Sequence, residues 1–394
     1  MKELIETKDS KIQKFKTSAI NQRHVITELT EQINQLKTHI KHQSSPVSQA
    51  TFLANKFNSV SYNESYIVKC LQKDLKDYQQ YVREIISHKR PTIDGLIAQI
   101  QEAVNEINSD YKVNLYGSYS TGLCLPWSDI DVVLINEAGT HFDEYLLRKL
   151  YMKLTQKKWI KQHKFIESAA MPIIKLVCKD SFEFHVDISV ENEKHFGLKC
   201  VELVKSYLTH YPVLEPIVLA LKTLLNNGNL NNPYTGGLSS YGLILLVVSF
   251  IQNEIDAKTM NYQSDNLLGE TFYYVLKHFG ILFDFTRYMI VTRPVDKPMS
   301  MNDGKEPYYQ FGQNNHDLII VDPLNNQNNV AKSTFQYMNI KMAFMIAFMV
   351  SKEDCECGCH YDVLPNKTVG TEHCILKRIF NSVKRFSAAN KQNY

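Results

Sequence analysis

Two aspartates separated by one residue, Asp129 and Asp131, stand at the start of an apolar run rich in β-branched residues. Alternate side chains of a strand share a face, so both carboxylates point the same way while Ile130 points into the core. Two carboxylates this close repel each other unless a cation lies between them. Hard divalent ions such as Mg²⁺ take oxygen ligands of this kind. The pair therefore predicts a site for divalent metal ions.

A possible phosphate-binding turn precedes the aspartates. Gly117 and Ser118 follow a short apolar segment that contains Val113 and Leu115. Backbone N–H groups and a hydroxyl can approach phosphate oxygens closely here, because glycine has no side chain in the way. A phosphate-binding turn followed by an Asp-x-Asp pair is the outline of a site for nucleotidyl transfer.

Composition sets the class of protein. The 394 residues are enough for two or three domains with substantial cores. The net charge of +3 excludes a strongly basic surface, so any contact with nucleic acid must come from a local groove or a partner. The start of the chain, Met1 to Lys41, is charged throughout and lacks a signal peptide. The most apolar run, Tyr241 to Ile251, is too short to cross a bilayer. We expect a soluble intracellular protein.

The first 45 residues carry a heptad pattern. Apolar side chains recur every seven residues, at Ile12, Ala19, Ile26, Ile33 and Ile40. This pattern predicts a coiled-coil helix over 1–45 that docks a partner or a second copy of the chain, or else folds back on the chain's own surface. A linker over 46–65 follows, as the Ser- and Pro-containing composition indicates.

The segments around the aspartates alternate between helix and strand. Apolar spacing predicts a helix over 66–88, a break at Lys89-Arg90-Pro91, and a second helix over about 92–107. A helix over 141–156 is followed by strands over 173–177 and 182–190. The second strand alternates strictly, and Asp187 lies on its polar face. We expect Asp187 to supply a third metal carboxylate, although a half-exposed strand often carries an aspartate for no functional reason.

Helices dominate the rest of the chain. They are predicted over 196–209, 212–227, 239–252, 333–350 and 374–389. The loop 230–242 runs into a helix start, where hydroxyl and N–H groups suit an anion, or where Ser239 is an ordinary cap. A short strand near Val321 leads into an Asn-rich loop.

A cysteine cluster lies near the end of the chain. Cys355, Cys357, Cys359 and His360 are residue types that bind zinc, but their spacing is not that of a zinc finger. The cluster is therefore either a structural zinc site or a loop of reduced cysteines.

Several motifs together resemble one family. Residues from about 66 to 390 resemble the non-canonical poly(A) polymerases and terminal uridylyltransferases, within the DNA polymerase β-like nucleotidyltransferases. Gly117-Ser118, the Asp129/Asp131 pair and Asp187 match the superfamily. The narrower match rests on the runs Pro233-Tyr234-Thr235-Gly236-Gly237-Leu238-Ser239-Ser240-Tyr241, Asp322-Pro323-Leu324-Asn325 and Asn329-Val330-Ala331-Lys332.

The resemblance implies an α+β fold. A nucleotidyltransferase palm, a mixed sheet with helices, would occupy 108–192. A mainly helical central domain would combine 66–107 with 193–390, and the nucleotide would bind in the cleft between the two.

The resemblance also implies roles for individual residues. Two divalent ions, Mg²⁺ or Mn²⁺, would be bound by Asp129, Asp131 and Asp187. The nucleotide would be held by residues that contact its phosphates and its base, namely Gly117, Ser118, Lys222, Ser240, Tyr241 and Asn328.

The expected activity is template-independent addition of AMP from ATP to an RNA 3′ end. Family members that prefer UTP carry a histidine and an asparagine where this chain has Asn328 and Cys200, which favours ATP here. A uridylyltransferase and a catalytically weak scaffold subunit are the alternatives. The resemblance also implies work in an RNA-processing or RNA-silencing complex of the nucleus or cytoplasm, with the nucleus preferred. The heptads would dock an RNA-binding or helicase protein, or an RNA-dependent RNA polymerase complex.

Overall fold

A computed structural model describes residues 62–136, 145–168, 171–179, 182–191, 197–256, 263–293, 295, 318–352 and 375–391. These residues all belong to one compact unit, Tyr62–Tyr394. The heptads of 1–45, the linker of 46–65 up to residue 61 and the cysteine cluster at Cys355, Cys357, Cys359 and His360 lie outside the described residues.

The elements follow in the order helix, sheet, helices. The helices are α1 (Tyr62–Asn105), α2 (Gly117–Thr121), α3 (Leu146–Leu154), α4 (Gly197–His210), α5 (Leu214–Asn227), α6 (Ser240–Asp256), α7 (Leu267–Lys277), α8 (Tyr337–Lys352) and α9 (Ile375–Lys391). The strands are β1 (Tyr111–Leu115), β2 (Ile130–Asn136), β3 (Ile160–Ile166), β4 (Ile173–Cys178), β5 (His185–Val190), β6 (Val321–Asp322) and β7 (Asn325–Asn329). A π-helical turn, His278–Leu282, extends α7.

Five strands form a mixed sheet in the order β1-β2-β5-β4-β3. Only β2 and β5 pair in parallel; the other neighbours are antiparallel. One face is apolar, because Ile130, Val132, Ile174, Val186 and Ile188 are all fully buried there. The predicted mixed sheet with helices is confirmed.

Helix α1 connects the sheet with the helical part of the chain. Its second half buries Ile93, Leu96 and Ile100 in the core beneath the sheet, whereas its first half packs against α5, α7 and α9. The predicted break at Lys89-Arg90-Pro91 is wrong, since α1 is continuous and contains Pro91. A proline inside a helix costs roughly 3 kcal/mol. Packing at both ends of α1 outweighs that cost.

The remaining helices match their predicted positions within a few residues. Strand β3 and helix α7 were not predicted from the sequence, and the residues of α2 and β7 were predicted as a turn and as an Asn-rich loop. Strand β3 is the sheet edge, and its central residues are exposed, so it shows no alternating apolar pattern. Helix α7 is buried on nearly all sides and therefore shows no polar face. No helix in the described parts of the chain is long and apolar enough to cross a membrane.

Candidate active site

Strand register brings the predicted carboxylates together. In the parallel pair β2–β5, Asp131 lies directly opposite Asp187. Register partners share a face, so both side chains point away from the apolar core. Asp129 precedes the first residue of β2 and is the most exposed of the three. The strand face predicted to hold both Asp129 and Asp131 holds Asp131 and Asp187 instead. Asp129 lies in the loop before β2, so its predicted place on the strand is wrong.

Burial and neighbouring carboxylates raise the pKa values of Asp131 and Asp129. Burial, followed by the negative charges of Asp187 and Asp129, raises the pKa of Asp131 to about 7. Burial and the charge of Asp187 also raise the pKa of Asp129. Within the part of the chain that the structure describes, no hydrogen-bond donor contacts the carboxylate of either residue. Lys222 and Lys175 offset the repulsion at Asp131 only in part, because its pKa is still raised overall. A cation bound between the carboxylates would relieve the remaining repulsion.

Asp187 differs from the other two because it has a cationic partner. Lys175 of β4 lies opposite Asp187 in the antiparallel β4–β5 pair, and its amine donates a short hydrogen bond to the Asp187 carboxylate. Burial lowers the pKa of Lys175, but the contact with Asp187 outweighs burial, so the pKa is raised overall. Lys175 was not predicted as a site residue. The position of a turn fixes which residues of a hairpin face each other. If the two predicted strands, 173–177 and 182–190, had been paired as a hairpin centred near residue 181, Lys175 would have been predicted to lie opposite Asp187.

The Gly117 turn sits directly against the carboxylates. Gly117 has a φ of +61°, and a side chain there would begin 2.2 Å from an oxygen of Asp131. The preceding Tyr116 donates its N–H to the Asp131 carbonyl oxygen at 3.0 Å. Only glycine allows the chain to turn this close to Asp131. Ser118 follows in the first turn of α2.

A cavity of about 520 Å³ joins the turn, the carboxylates and the helices. Of the predicted site residues, those that line this cavity are Gly117, Ser118, Asp129, Asp131, Lys222, Ser240 and Tyr241. Asp187 and Asn328 are not among its lining residues. Thr121 and Trp127 also line the cavity, although no motif in the sequence singled them out.

Lys222 enters the cavity from α5 and is almost completely buried, with 9% exposure. Its amine donates to the Leu123 carbonyl oxygen at 2.7 Å. Burial lowers its pKa to about 8, against the opposing influence of Cys124 and Asp131. An amine with this pKa is mostly protonated at neutral pH, and an approaching anion would favour the charged form further.

A further aspartate, Asp322, lies in the helical half of the chain and accepts several hydrogen bonds. Asp322 accepts hydrogen bonds from the Tyr241 hydroxyl, the Asn328 amide and the Leu324 N–H, each at 3.0 Å. The helix start at Ser240 is capped, because the Ser239 hydroxyl accepts from the Gly242 N–H at 3.0 Å. The capping interpretation of Ser239 is therefore confirmed. Asp322 itself was not predicted as a site residue, though it opens the Asp-Pro-Leu-Asn run.

The carboxylates of Asp129 and Asp131 are suited to bind divalent cations. Asp129 and Asp131 offer oxygen atoms that no donor among the described residues satisfies, and Mg²⁺ and Mn²⁺ prefer such ligands. In the described part of the chain, no group of three His, Cys, Asp or Glu side chains is already arranged around one point. Asp187 is turned toward Lys175 instead.

Comparison with known proteins identifies the family. Residues 62–209 match the model of the poly(A) RNA polymerase, mitochondrial-like, central palm domain. The chain is 34% identical over 303 residues to poly(A) RNA polymerase protein 2 of Saccharomyces cerevisiae, an alignment that covers 72% of this chain and 47% of that protein. This chain belongs to the non-canonical poly(A) polymerase family.

The family's fold is also found among solved structures. The polymerase core of TRAMP, described as an RNA surveillance complex, aligns with a TM-score of 0.58 and 26% identity, covering 82% of this chain and 94% of that one. Membership of the family does not by itself establish activity, because a 27% identical Drosophila melanogaster relative is named an inactive non-canonical poly(A) RNA polymerase; that alignment covers 74% of this chain and 70% of the relative. The chain spans just under half the length of the first curated relatives that it matches.

Proposed function

We propose that this protein is a template-independent RNA 3′-terminal adenylyltransferase that adds AMP from ATP to the 3′-hydroxyl of RNA. The observation that carries the proposal is the register pair Asp131–Asp187 on the open face of the sheet, with Asp129 and the Gly117 turn beside it. An inactive relative of this fold would have no need to keep Asp129 and Asp131 together at the cavity with Asp187 opposite Asp131 in the sheet.

The reaction would proceed in one displacement. The 3′-hydroxyl oxygen of RNA bonds to the α-phosphorus of ATP, the bond to the bridging oxygen breaks, and pyrophosphate leaves as the hydroxyl loses its proton. Two divalent ions held by Asp129, Asp131 and Asp187 would stabilise the attacking and leaving oxygens. Asp187 is placed to join them once it exchanges its contact with Lys175 for a cation.

The other cavity residues would hold the nucleotide. The Gly117 turn and the Ser118 hydroxyl border the carboxylates, which suits the triphosphate. Lys222 would give up the Leu123 carbonyl for a phosphate oxygen and take full charge there. Ser240 would orient the triphosphate, and Tyr241, whose ring lies at the cavity while its hydroxyl is held by Asp322, would stack on the base.

We infer a preference for ATP over UTP from Asn328 and Cys200. The Asn328 amide donates to Asp322 at 3.0 Å, so this side chain is fixed beside Tyr241 as a neutral group. The variant Asn328→His is expected to raise UTP incorporation relative to ATP. An unchanged ratio would mean that base choice lies elsewhere.

The test is a tailing assay. Purified protein is incubated with a 3′-hydroxyl RNA oligonucleotide, Mg²⁺ or Mn²⁺, and each nucleoside triphosphate in turn. We expect a ladder with ATP that disappears in the Asp129→Asn, Asp131→Asn double variant. The control Asp77→Asn removes only an exposed 3.1 Å ion pair with Lys73 and should keep the ladder. A ladder mainly with UTP would support a uridylyltransferase, and no ladder with any nucleotide, even with co-purifying proteins added back, would favour the scaffold.

We further infer that the protein works in an RNA-processing complex in the nucleus or cytoplasm, with a partner docked on the heptads of 1–45. The TRAMP polymerase core belongs to a complex, which supports this inference. Deleting residues 1–45 should remove the partner on purification while short RNA is still tailed. Partner retention after the deletion would place the docking site elsewhere.

A further inference from the structure

The most exposed large apolar side chain among the described residues is Tyr234. Its relative exposure is 92%, above that of every other exposed aromatic residue in this part of the chain. It lies at the centre of a 3₁₀ turn, Pro233–Thr235, between α5 and α6. An aromatic ring held in water is unfavourable, because apolar surface stays hydrated.

The exposure does not come from a loosely held backbone. The Asn232 side chain accepts from the Tyr234 N–H at 2.9 Å, and the Gly237 N–H donates to the Asn232 carbonyl at 2.9 Å. Gly236 closes the turn with a φ of +84°. A distant residue also stabilises the turn, because the Gln336 N–H donates to the Gly236 carbonyl at 2.9 Å. The ring is thus presented on a fixed support.

A second aromatic ring reinforces that support. Phe335 is 70% exposed and lies over Gly236, where a side chain would begin 2.4 Å from the ring. The Thr334 hydroxyl donates to the Gly237 carbonyl at 3.1 Å. Two exposed aromatic residues therefore share one rigid corner of the helical half.

This corner borders the candidate active site. Asn231 and Leu238, on either side of the turn, both line the cavity. Tyr234 also lies within electrostatic reach of Lys175, the lysine that contacts Asp187. The turn that carries the ring therefore borders the cavity, and the ring lies near the Lys175–Asp187 pair.

A flat ring beside a lysine suits an unpaired nucleotide. Bases of single-stranded RNA stack on aromatic side chains whatever their sequence, while a nearby cation meets the backbone phosphate. The whole chain carries a net charge of only +3, so contacts with RNA must be local. We propose that Tyr234 stacks on a base at the 3′ end of the acceptor RNA and so directs its terminal hydroxyl toward Asp187. This inference rests on the proposed RNA-tailing function.

The test separates binding of the acceptor from catalysis. RNA with 2-aminopurine at its 3′ end is titrated with the full-length protein, because stacking quenches the fluorescence of that base. Tyr234→Leu removes the ring, Tyr234→Phe keeps it, and Tyr145→Leu is the control, an exposed tyrosine at the start of α3 that does not line the cavity. The melting temperature of each variant is measured as well, and we expect it to equal that of the wild type because both tyrosines are exposed.

We expect the wild-type, Tyr234→Phe and Tyr145→Leu proteins to quench the terminal base, and Tyr234→Leu to lose the quench. In tailing assays, Tyr234→Leu should raise the KM for RNA about tenfold and leave the KM for ATP unchanged. Unchanged quenching and KM for RNA in Tyr234→Leu would overturn the inference, and so would a rise in the KM for ATP alone. Wild-type protein that quenches but does not tail, even with co-purifying proteins added back, would refute the proposed function while leaving the stacking site supported.

Discussion

The palm sheet carries Asp131 and the helical half carries Asp322, and the two aspartates differ in their hydrogen bonds. Asp131 lines the cavity, whereas Asp322 contacts Tyr241, which lines it. Asp131 has a carboxylate that no donor among the described residues contacts, and its pKa is raised to about 7 by burial and by its acidic neighbours. Asp322 receives three hydrogen bonds, from Tyr241, Asn328 and Leu324. One carboxylate is left unsatisfied by the protein, and the other is fully satisfied by it.

The difference indicates which aspartate acts on a ligand and which acts on the protein. A buried acceptor with three donors is a structural element, and it fixes the groups that donate to it. A carboxylate surrounded by other carboxylates costs stability, so it is expected where a cation is to be bound. Asp187 is intermediate, because Lys175 neutralises it. The predictions below test this contrast.

The largest effect is expected for Asp131→Asn. This variant keeps the shape of the side chain but removes the negative charge that would hold a divalent ion, and metal-ion catalysis contributes several kcal/mol. We expect ATP-dependent tailing to fall at least about a thousandfold, measured as kcat/KM with RNA in excess. Tailing within tenfold of wild type would show that Asp131 is not a metal ligand.

Gly117→Ala should have the next largest effect. The added methyl group would lie 2.2 Å from an Asp131 oxygen, at a φ of +61° that alanine disfavours. The turn and Asp131 must therefore separate, and a shift of about 1 Å at a reacting group can cost about a hundredfold in rate. Gly122→Ala is the matched control, because Gly122 has a similar φ of +79° but no atom within 4 Å of the added methyl group. Equal losses in the two variants would attribute the effect to backbone strain alone.

Asp322→Ala should act mainly through binding and stability. The substitution leaves the Tyr241 hydroxyl and the Asn328 amide without their acceptor, and an unsatisfied buried group costs about 1–3 kcal/mol. We expect a lower free energy of unfolding in urea and a KM for ATP raised about tenfold, with a smaller change in kcat. A loss confined to kcat, with unchanged stability, would contradict the structural role of Asp322.

Asp131→Asn should raise the free energy of unfolding in the presence of EDTA, whereas Asp322→Ala should lower it. The pKa of the Asp131 carboxyl rises from 3.8 in the unfolded chain to about 7 in the fold. Between these values the folded state binds more protons than the unfolded state, so stability falls as pH rises from about 4 to about 7. At pH 8 the variant should be more stable than wild type, on the order of 1–3 kcal/mol. Equal stability of the two proteins at pH 8 and at pH 4 would show that Asp131 carries no such penalty.

Pro91→Ala should have the smallest effect on activity. Pro91 lies inside α1, between the half that packs under the sheet and the half that packs on the helices. Alanine restores a backbone N–H at this position, so we expect an increase of about 1 kcal/mol in the free energy of unfolding and unchanged tailing. A change in kcat would instead mean that Pro91 influences how α1 positions the sheet relative to the helices.

Much of the fold could be predicted because its signals are local. Strand β5 alternates apolar and polar residues, and helices α4, α5 and α6 have apolar patterns that continue for three turns or more. Helix α1 was divided wrongly at Pro91, since a local breaker was opposed by packing with distant elements. Strand β3 was missed because an exposed edge strand has no apolar face to reveal it.

The site was predictable in part for the same reason. Asp129, Asp131 and Gly117 are close in sequence, so their types and spacing indicate chemistry directly. Lys175 and Asp322 were overlooked because their importance comes from partners 12 and 81 residues away, Asp187 and Tyr241. The predicted roles of all the site residues, the three carboxylates included, and the boundary between palm and central domain stay predictions.

The sequence by itself determined the chemistry that is available here: paired carboxylates, a glycine turn, and strands and helices whose periodicity follows from side-chain burial. Only the tertiary structure decided which groups meet. Strand register set Asp131 opposite Asp187 and Lys175 beside them, and the packing of α5 and α6 brought Lys222 and Tyr241 to the same cavity. Charge repulsion, burial and hydrogen-bond satisfaction depend on distances between residues far apart in the chain, which local residue patterns do not contain.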